Sequence, residues 1–460
     1  MAVEREVRME TRTFRAYDQD QCLLMPASLR EWLPEGHLAL FISDVVERLA
    51  LGDLMADYAS PDGKGAPPYD PRMLLKVLLY GYATGVFSSR RQAQRCLEDV
   101  AFRYLAAQQQ PDFRTLIKFR SRHRERFAAL FVEVVDLARE MGMVRLGHLS
   151  IDGTKVKANA SKHKAMSYGR MLEAEKKLRG EIAALLDRAQ AVDDAEEQAG
   201  APDDDHRLPQ EIARREKRLA AIEQARGRLE ERARHRAEQE AGGREQEAAE
   251  RVQEGKPEKR YRKDPDETPK AGEQENFTDP ESRIMKDGAT KGFVQAYNCQ
   301  IAVDDKAHII VAAETSNVAA DVGQLVATLD GVRETLAAYP RQVTADAGYK
   351  SEENFAALQQ RGVDGYVACG REVYDERVSA PRGRIPQAAT RTERMKRKLL
   401  TKAGRAIYRK RKYVAEPPIG WIKSVLGFRQ FSMRGLSKVG AEWKLVCMAI
   451  NLRRMAVAWA

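Results

Sequence analysis

Two aspartates in this chain stand where aspartate is least expected. Asp152 follows Ser150-Ile151 and is followed at once by Gly153, after which Thr154 to Lys157 alternates like a strand. Asp346 closes Val343-Thr344-Ala345 and precedes Ala347-Gly348. Aspartate is depleted in strands, and a single carboxylate at a strand end ordinarily serves a turn or a cap. Two in matching small-residue settings pose a different problem. Brought together they repel, so one keeps its proton or both share a cation. Hard cations such as Mg²⁺ take oxygen donors, and two such ions about 3.5–4 Å apart serve phosphodiester chemistry, one at the attacking oxygen and one at the leaving oxygen.

That chemistry calls for a third acid. Glu416 precedes Pro417-Pro418 and so stands at or just before a helix start. Lys423 follows seven residues later, two turns along and on nearly the same face. Upstream, residues 391–412 hold eleven Lys/Arg against one acid, Glu393. A DNA strand laid along that run would bring its phosphates to Glu416; a solvated basic loop is the alternative. Glu442 is a second choice for the third acid, although Ala441 to Leu452 reads as an amphipathic packing helix.

The rest of the chain must position these groups. Its 460 residues are 43% hydrophobic, enough for cores, and 32% charged, above an average of about 25%. The excess of 78 Lys+Arg over 68 Asp+Glu suits a polyanionic partner. Cys22, Cys96, Cys299, Cys369 and Cys447 are isolated, which argues against a zinc site or disulfide framework and fits a reducing cytoplasm. With no apolar run of about 18 residues and no hydrophobic signal core, a soluble intracellular protein with no membrane partner is expected.

Residues 14–145 read as successive helices. Pro71 opens one, Ser89 and Gln92 are spaced as a capping box, and Asp112 is placed to cap a helix running to Ala138. That helix carries Leu116, Phe119, His123, Phe127, Leu130, Phe131, Val134 and Ala138 as one stripe. Its other face bears Arg114, Lys118, Arg120, Arg122, Arg124 and Arg126. A helix, a turn and a basic helix resemble a helix-turn-helix, which makes Arg114, Lys118, Arg120 and Arg122 DNA-binding candidates; a solvated basic face is equally consistent.

Residues 163–275 are dominated by charged residues and alanine. Leu172, Leu178, Ile182 and Leu185, then Ile212, Leu219, Ile222 and Leu229, recur at helical spacing around breakers Gly200, Pro202 and 203–205. Two long helices folded back as a coiled-coil-like arm are expected, with a polar tail through 275 that is partly too polar to pack. Strand signals return at 297–303 and 308–314, joined by a tight turn at Asp304–Ala307. A helix, the strand ending at Asp346, a helix capped by Ser351 and a strand in 364–370 follow. The order gives a mixed α/β sheet. The divisions are 1–145 helical and DNA-binding, 146–162 the start of the catalytic core, 163–280 the inserted arm, and 281–460 the rest of the core.

Taken together, PDFRTLIKFR (111–120), SIDGTKVKANAS (150–161), VTADAGY (343–349) and YRKRKYVAEPPIGWIKSVLGFRQFSMRG (408–435) resemble the DDE transposases of bacterial insertion sequences. The likeness is to those with an all-helical N-terminal domain and a Tyr-Arg-Glu-Lys signature, and it covers most of the chain. It implies an RNase H-like mixed-sheet core with Asp152 on the first strand, Asp346 just after the fourth, and Glu416 on a following helix. These three acids would be catalytic and would hold two Mg²⁺ ions, with Mn²⁺ as a substitute. Tyr408, Arg411 and Lys423 would contact DNA near the cleavage point. The signature places three residues between its Arg and Glu; Arg411 leaves four and Lys412 leaves three, so Lys412 is a candidate too.

The implied activity is cleavage at transposon ends and strand transfer into target DNA. The partners are double-stranded terminal inverted repeats and target DNA, bound by a homodimer or larger assembly at the nucleoid. The arm would mediate assembly, clamp DNA or act as a spacer. An RNase H-fold nuclease without strand transfer, or a DNA-binding regulator, are the rival readings; the regulator predicts loss of an acid, and all three are present.

Overall fold

Seven helices precede the first strand among the described residues. They are α1 (Leu38–Arg48), α2 (Gly52–Ala56), α3 (Pro71–Ala83), α4 (Ser89–Glu98), α5 (Val100–Leu105), α6 (Phe113–Arg122) and α7 (Arg126–Glu140). The computed structural model describes residues 28–58, 68–199, 207–370 (apart from 254, 256, 258, 260, 262 and 289) and 383–459. Cys22, the first part of the helical reading (14–27) and the breakers Gly200, Pro202 and 203–205 lie outside the described residues. Among the described residues no helix is long and apolar enough to cross a membrane.

Local chemistry sets most of the helix starts. Asp70 accepts from the Arg72 N–H at 2.8 Å with Pro71 in the first turn, and Asp112 accepts from the Arg114 N–H at 2.8 Å. The Ser89/Gln92 capping box does not form. Ser88 is the cap residue, and Gln92 turns inward to donate to the Val86 carbonyl at 2.7 Å. It can do so because it crosses Gly81, where a Cβ would lie 2.4 Å from its amide nitrogen. The expected single helix from Asp112 to Ala138 is two: α6 ends at Arg122, and α7 restarts at Arg126. The predicted apolar stripe is still buried throughout, since both halves face the interior.

Arg120 corrects the basic-face reading. It is only 6% exposed, and its Nη1 donates to the Tyr82 hydroxyl at 2.8 Å and lies 3.7 Å from Glu442 Oε1. Burial alone would lower its pKa, but Tyr82 and Glu442 hold it above the ordinary arginine value. A guanidinium so enclosed is committed to the fold and not to DNA. Arg114, Lys118 and Arg122 of the same helix are exposed.

The sheet is built around one long strand. After β1 (His148–Lys157) come β2 (Ala165–Ser167), β3 (Gln274–Asn276), β4 (Arg283–Lys286), β5 (Phe293–Asp304), β6 (Ile310–Ser316), β7 (Gln342–Ala345) and β8 (Asp364–Val367). β5 pairs antiparallel with β1, from Leu149↔Asp304 to Lys157↔Ala296. Its other edge takes β4 and then β6, both antiparallel. β7 adds parallel to β1, and β8 parallel to β7. Parallel neighbours need crossovers, and α10 (Gln324–Leu336) and α11 (Glu352–Gln360) are the helices that lead into β7 and β8. The result is a mixed α/β fold. The hairpin, the strand ending at Asp346 and the Ser351-capped helix all lie where the sequence places them; Ser351 accepts from the Asn354 N–H at 3.0 Å.

Between β2 and β3 stand α8 (Tyr168–Ala199) and α9 (Arg207–Gln253), packed on each other. Met171, Leu178, Ile222, Ala225 and Leu229 form their small core, while Leu172 is exposed. The tail is more ordered than its polarity implies. α9 continues to Gln253, and β3 pairs with β2 at the arm's root, where Arg228 and Arg232 of α9 both grip the buried Glu275.

The last three α-helices, before a final one, are α12 (Arg391–Leu399), α13 (Lys402–Val414) and α14 (Glu416–Gly420); α15 (Leu436–Trp459) ends the chain. The basic run 391–412 is thus helical, not a loop, and Thr390 with Glu393 makes a capping box for α12. Ala441 to Leu452 of α15 reads as amphipathic, but this stretch is buried around the whole helix apart from the half-buried Lys444. The helix packs on β6 with one face and on α1, α3 and α7 with others. Through it one continuous apolar core runs from Ala39 to Ala456, so the change of texture at 145/146 is a change of secondary structure without a break in the core.

Glu442 is fully buried on α15, accepting from Tyr82 at 2.8 Å, from the Ser432 hydroxyl, and from the Ser432 and Met433 N–H groups at 3.0 and 3.1 Å. Removing one partner of such a pair strands the other. Arg120→Ala is therefore expected to lower unfolding stability by about 3–5 kcal/mol, whereas Lys118→Ala on the exposed face changes it by less than about 0.5 kcal/mol. Chemical denaturation midpoints of the two variants check this; equal midpoints would refute the structural role of Arg120.

Candidate active site

Parallel pairing brings the two aspartates into register. Ser150 stands opposite Thr344, and two residues further along each segment come Asp152 and Asp346. β7 has ended at Ala345, so Asp346 opens a 3-10 turn, Ala347–Tyr349. Each carboxylate is oriented by a backbone donor: Asp152 Oδ1 accepts from the Gly153 N–H at 2.9 Å, and Asp346 Oδ1 from the Gly348 N–H at 2.8 Å.

The third acid is carried in by a helix end. α13 lies against β1, β7 and β8, and near its last turn Arg411 reaches into the site. Its Nη1 is 3.6 Å from Asp152 Oδ2 and its Nη2 is 3.4 Å from Glu416 Oε1. Tyr408, three residues earlier, hydrogen-bonds the same guanidinium. Arg411 is therefore the basic residue at the acids, and Lys412 beside it is exposed on the outer face of α13. Glu442 is held in its own network with Tyr82 and Arg120.

Burial is the largest influence on Asp152 and pushes its carboxyl up to about 6. Arg411 pulls it back, Asp346 and Glu416 raise it, and the Gly153 N–H lowers it. The Arg411 guanidinium shows the converse: burial opposes its charge, and Tyr408, Asp152, Asp346 and Glu416 together outweigh burial. One guanidinium thus faces three carboxylates. Its Nε is buried with no hydrogen-bond partner among the described residues.

A divalent cation suits this donor set in kind, since all three acids offer hard oxygens and the local charge is short of positive. Among the described residues no three His, Cys, Asp or Glu side chains already stand close enough to form a metal-binding group.

The other predicted residues are dispersed. Lys423 lies within the π-turn Trp421–Val425 that follows α14. Its half-buried amine donates to the Lys155 carbonyl on β1 at 2.9 Å, and burial lowers its pKa. In the basic run, Lys398 pairs with Asp364 and Lys410 with Asp305, while Arg391, Arg394, Lys402, Arg409 and Lys412 are exposed.

Sequence reasoning missed the groups behind the acids. Asp321 accepts from Lys155 Nζ at 2.9 Å, Asn298 Nδ2 at 2.8 Å and Gln300 Nε2 at 3.0 Å. Tyr349 donates to Gln300 Oε1. A readable signal existed, because Asn298 and Gln300 alternate with Cys299 and Ile301 in a strand that is buried from Gln295 to Asp304. Amides repeating at period two on a buried strand require partners.

Comparison with known proteins comes to the same place. Residues 27–122 match the family described as Transposase domain (DUF772), and residues 265–452 match the Transposase DDE domain family, which spans Asp346, Arg411 and Glu416. No curated protein and no solved structure matches the chain. The chain thus carries matches to two transposase domain families, both typical of the transposases of bacterial insertion sequences.

Proposed function

We propose that this protein cleaves DNA at the ends of its own element and joins the freed ends to target DNA, with Asp152, Asp346 and Glu416 as the catalytic acids. The observation that best supports the reading is the bridge Asp152–Arg411–Glu416 beside Asp346. It gathers carboxylates from a strand, a strand end and a helix start into one electrostatic unit. The sheet order supports an RNase H-like core: three antiparallel strands (β6, β5, β1) continued by two parallel ones (β7, β8). Counting those five in chain order, Asp152 lies on the first and Asp346 just after the fourth.

In this reading Asp152, Asp346 and Glu416 hold Mg²⁺, for which Mn²⁺ substitutes. When bound, the metal stabilises charge on the attacking and leaving oxygens of an in-line displacement. The chain's own groups do the rest. Gly153 and Gly348 N–H groups fix the two aspartates, and Arg411 holds Asp152 and Glu416 until an incoming phosphate competes for its guanidinium. Water attacks the phosphodiester at the element's end and a 3′-hydroxyl leaves. That hydroxyl then attacks a target phosphodiester, forming one P–O bond as another breaks, so no external energy source is needed. Arg114, Lys118 and Arg122 on the exposed face of α6, with the exposed bases of α12 and α13, would bind backbone phosphates. Two ends joined together call for at least a dimer on DNA, with the α8–α9 arm a candidate for holding it.

The direct test is cleavage of a labelled duplex carrying the element's ends, in Mg²⁺ or Mn²⁺. Asp152→Ala, Asp346→Ala and Glu416→Ala are each expected to slow nicking and joining by at least about 10³-fold with DNA binding retained, and chelation should stop the wild type. Wild-type rates in Glu416→Ala would remove it from the site, and intact binding without any cutting by the wild type would favour a regulator.

A paired comparison separates Arg411 from Lys412. Arg411→Ala should reduce the cleavage rate about 10²-fold. Lys412→Ala should leave the rate at saturating DNA unchanged and lower the salt slope of binding by about 1. The reverse pattern would assign the signature arginine's role to Lys412.

A further inference from the structure

We propose that Asp321, Gln300 and Tyr349 form a positioning relay that fixes the Asp346 turn against Asp152 from the opposite face of the sheet. The proposal rests on reading Asp152 and Asp346 as the catalytic pair.

The faces follow from the register. Gly153 pairs with Gln300 and Lys155 with Asn298, so these four side-chain positions share one face, and Asp152 belongs to the other. On the relay face, the Gln300 amide is oriented by three partners. Its nitrogen donates to Asn298 Oδ1 at 2.9 Å and to Asp321 Oδ1 at 3.0 Å. With both N–H groups engaged, its oxygen is presented to the Tyr349 hydroxyl, which donates to it. Tyr349 is buried and ends the turn that Asp346 begins. The amide orientation set at Asp321 therefore determines whether the Tyr349 hydroxyl has an acceptor, and so where the turn sits.

Two glycines show how tightly the parts fit. A Cβ on Gly153 would lie 2.5 Å from Gln300 Nε2, so the residue after Asp152 must be glycine for the amide to cross the strand. A Cβ on Gly348 would lie 3.0 Å from Asp346 Oδ1 and 3.4 Å from Asp321 Oδ2. The two carboxylates thus flank the same glycine. Asp321 Oδ1 collects three donors, one of them the Lys155 ammonium, which calls for a charged acceptor. Its Oδ2 takes no hydrogen bond among the described residues and borders the Asp346 turn.

A positioning role predicts loss of rate and of metal affinity without loss of DNA binding. Full-length Tyr349→Phe and Asp321→Ala are expected to cut element ends about 10²-fold more slowly at saturating DNA. Each should also bind Mn²⁺ about tenfold more weakly by electron paramagnetic resonance. Asp321→Asn, which keeps an oxygen acceptor, should recover part of both. Tyr339→Phe removes a hydroxyl bonded to Asp330 far from these acids and serves as the control, with wild-type rate and Mn²⁺ affinity. Wild-type rate and Mn²⁺ affinity in Tyr349→Phe and Asp321→Ala overturn the relay, as does a rate loss that only tracks the fraction of protein unfolded. If the wild type binds Mn²⁺ and never cuts, the functional reading falls, while the Mn²⁺ comparison among variants still decides the relay.

Discussion

Burial of the middle of α15 on every side is the constraint from which the rest of the architecture follows. A helix apolar around its whole circumference needs partners all round, and here they come from both halves of the chain: β6 on one side, α1, α3 and α7 on the others. Several of its polar groups are used as fasteners. Asn451 exchanges two 2.8 Å hydrogen bonds with the backbone of Ile310 and so covers the free edge of β6, an edge that would otherwise invite pairing with another chain. Trp443 donates to the Gln300 carbonyl at 3.1 Å. Glu442 ties α15 to α3 and α6 through Tyr82 and Arg120. The N-terminal helices are consequently a fixed part of the frame, and whatever their exposed basic face binds is held at a set position relative to the sheet.

Inside that frame the acids are arranged against their own repulsion. Asp152 is largely enclosed, with side-chain exposure of 16%, whereas Glu416 is 51% exposed. The burial that raises the Asp152 carboxyl to about 6 means that Arg411 alone does not fully compensate the charge there. A site balanced in this way keeps its demand for further positive charge, and a divalent ion meets that demand better than a second arginine because it accepts several oxygens at once. The exposed Glu416 can adjust, since α14 begins at it and loosens into the π-turn directly afterwards.

Much of this was legible in the sequence, for identifiable reasons. The β5–β6 hairpin, β7, α11 and β8 were readable because each pairs a regular pattern with a punctuating residue: Asp304–Ala307 at the turn, Ser351 at the cap. Asp152 and Asp346 stood out because each breaks its local rule, and such conflicts concentrate at functional sites; Glu416 was found as the third acid that such a pair calls for. The misreadings share a different cause. Arg120 and Gln92 look like surface or capping residues from their neighbours in sequence, and their partners, Glu442 far along the chain for Arg120 and the Val86 carbonyl for Gln92, reveal them as interior. Periodicity reports the face of a helix but is silent on what comes to cover it. The same holds for Lys423, whose amine is committed to the Lys155 carbonyl of β1.

The polar residues of β5 carry this argument furthest. Asn298 and Gln300 are fully buried on a central strand, where each polar group left without a partner would cost about 1–3 kcal/mol. Both are paired: Asn298 and Gln300 donate to Asp321, and Gln300 accepts from Tyr349. An amide has a donating end and an accepting end, so fixing one fixes the other. Gly153 widens the strand at the point where Gln300 crosses it, so Asp152 on one face and the amide on the other are accommodated by the same residue. The Asp-Gly pair thus sets side by side a carboxylate on one face of β1 and, on the other, a position where Gln300 leaves no room for a side chain.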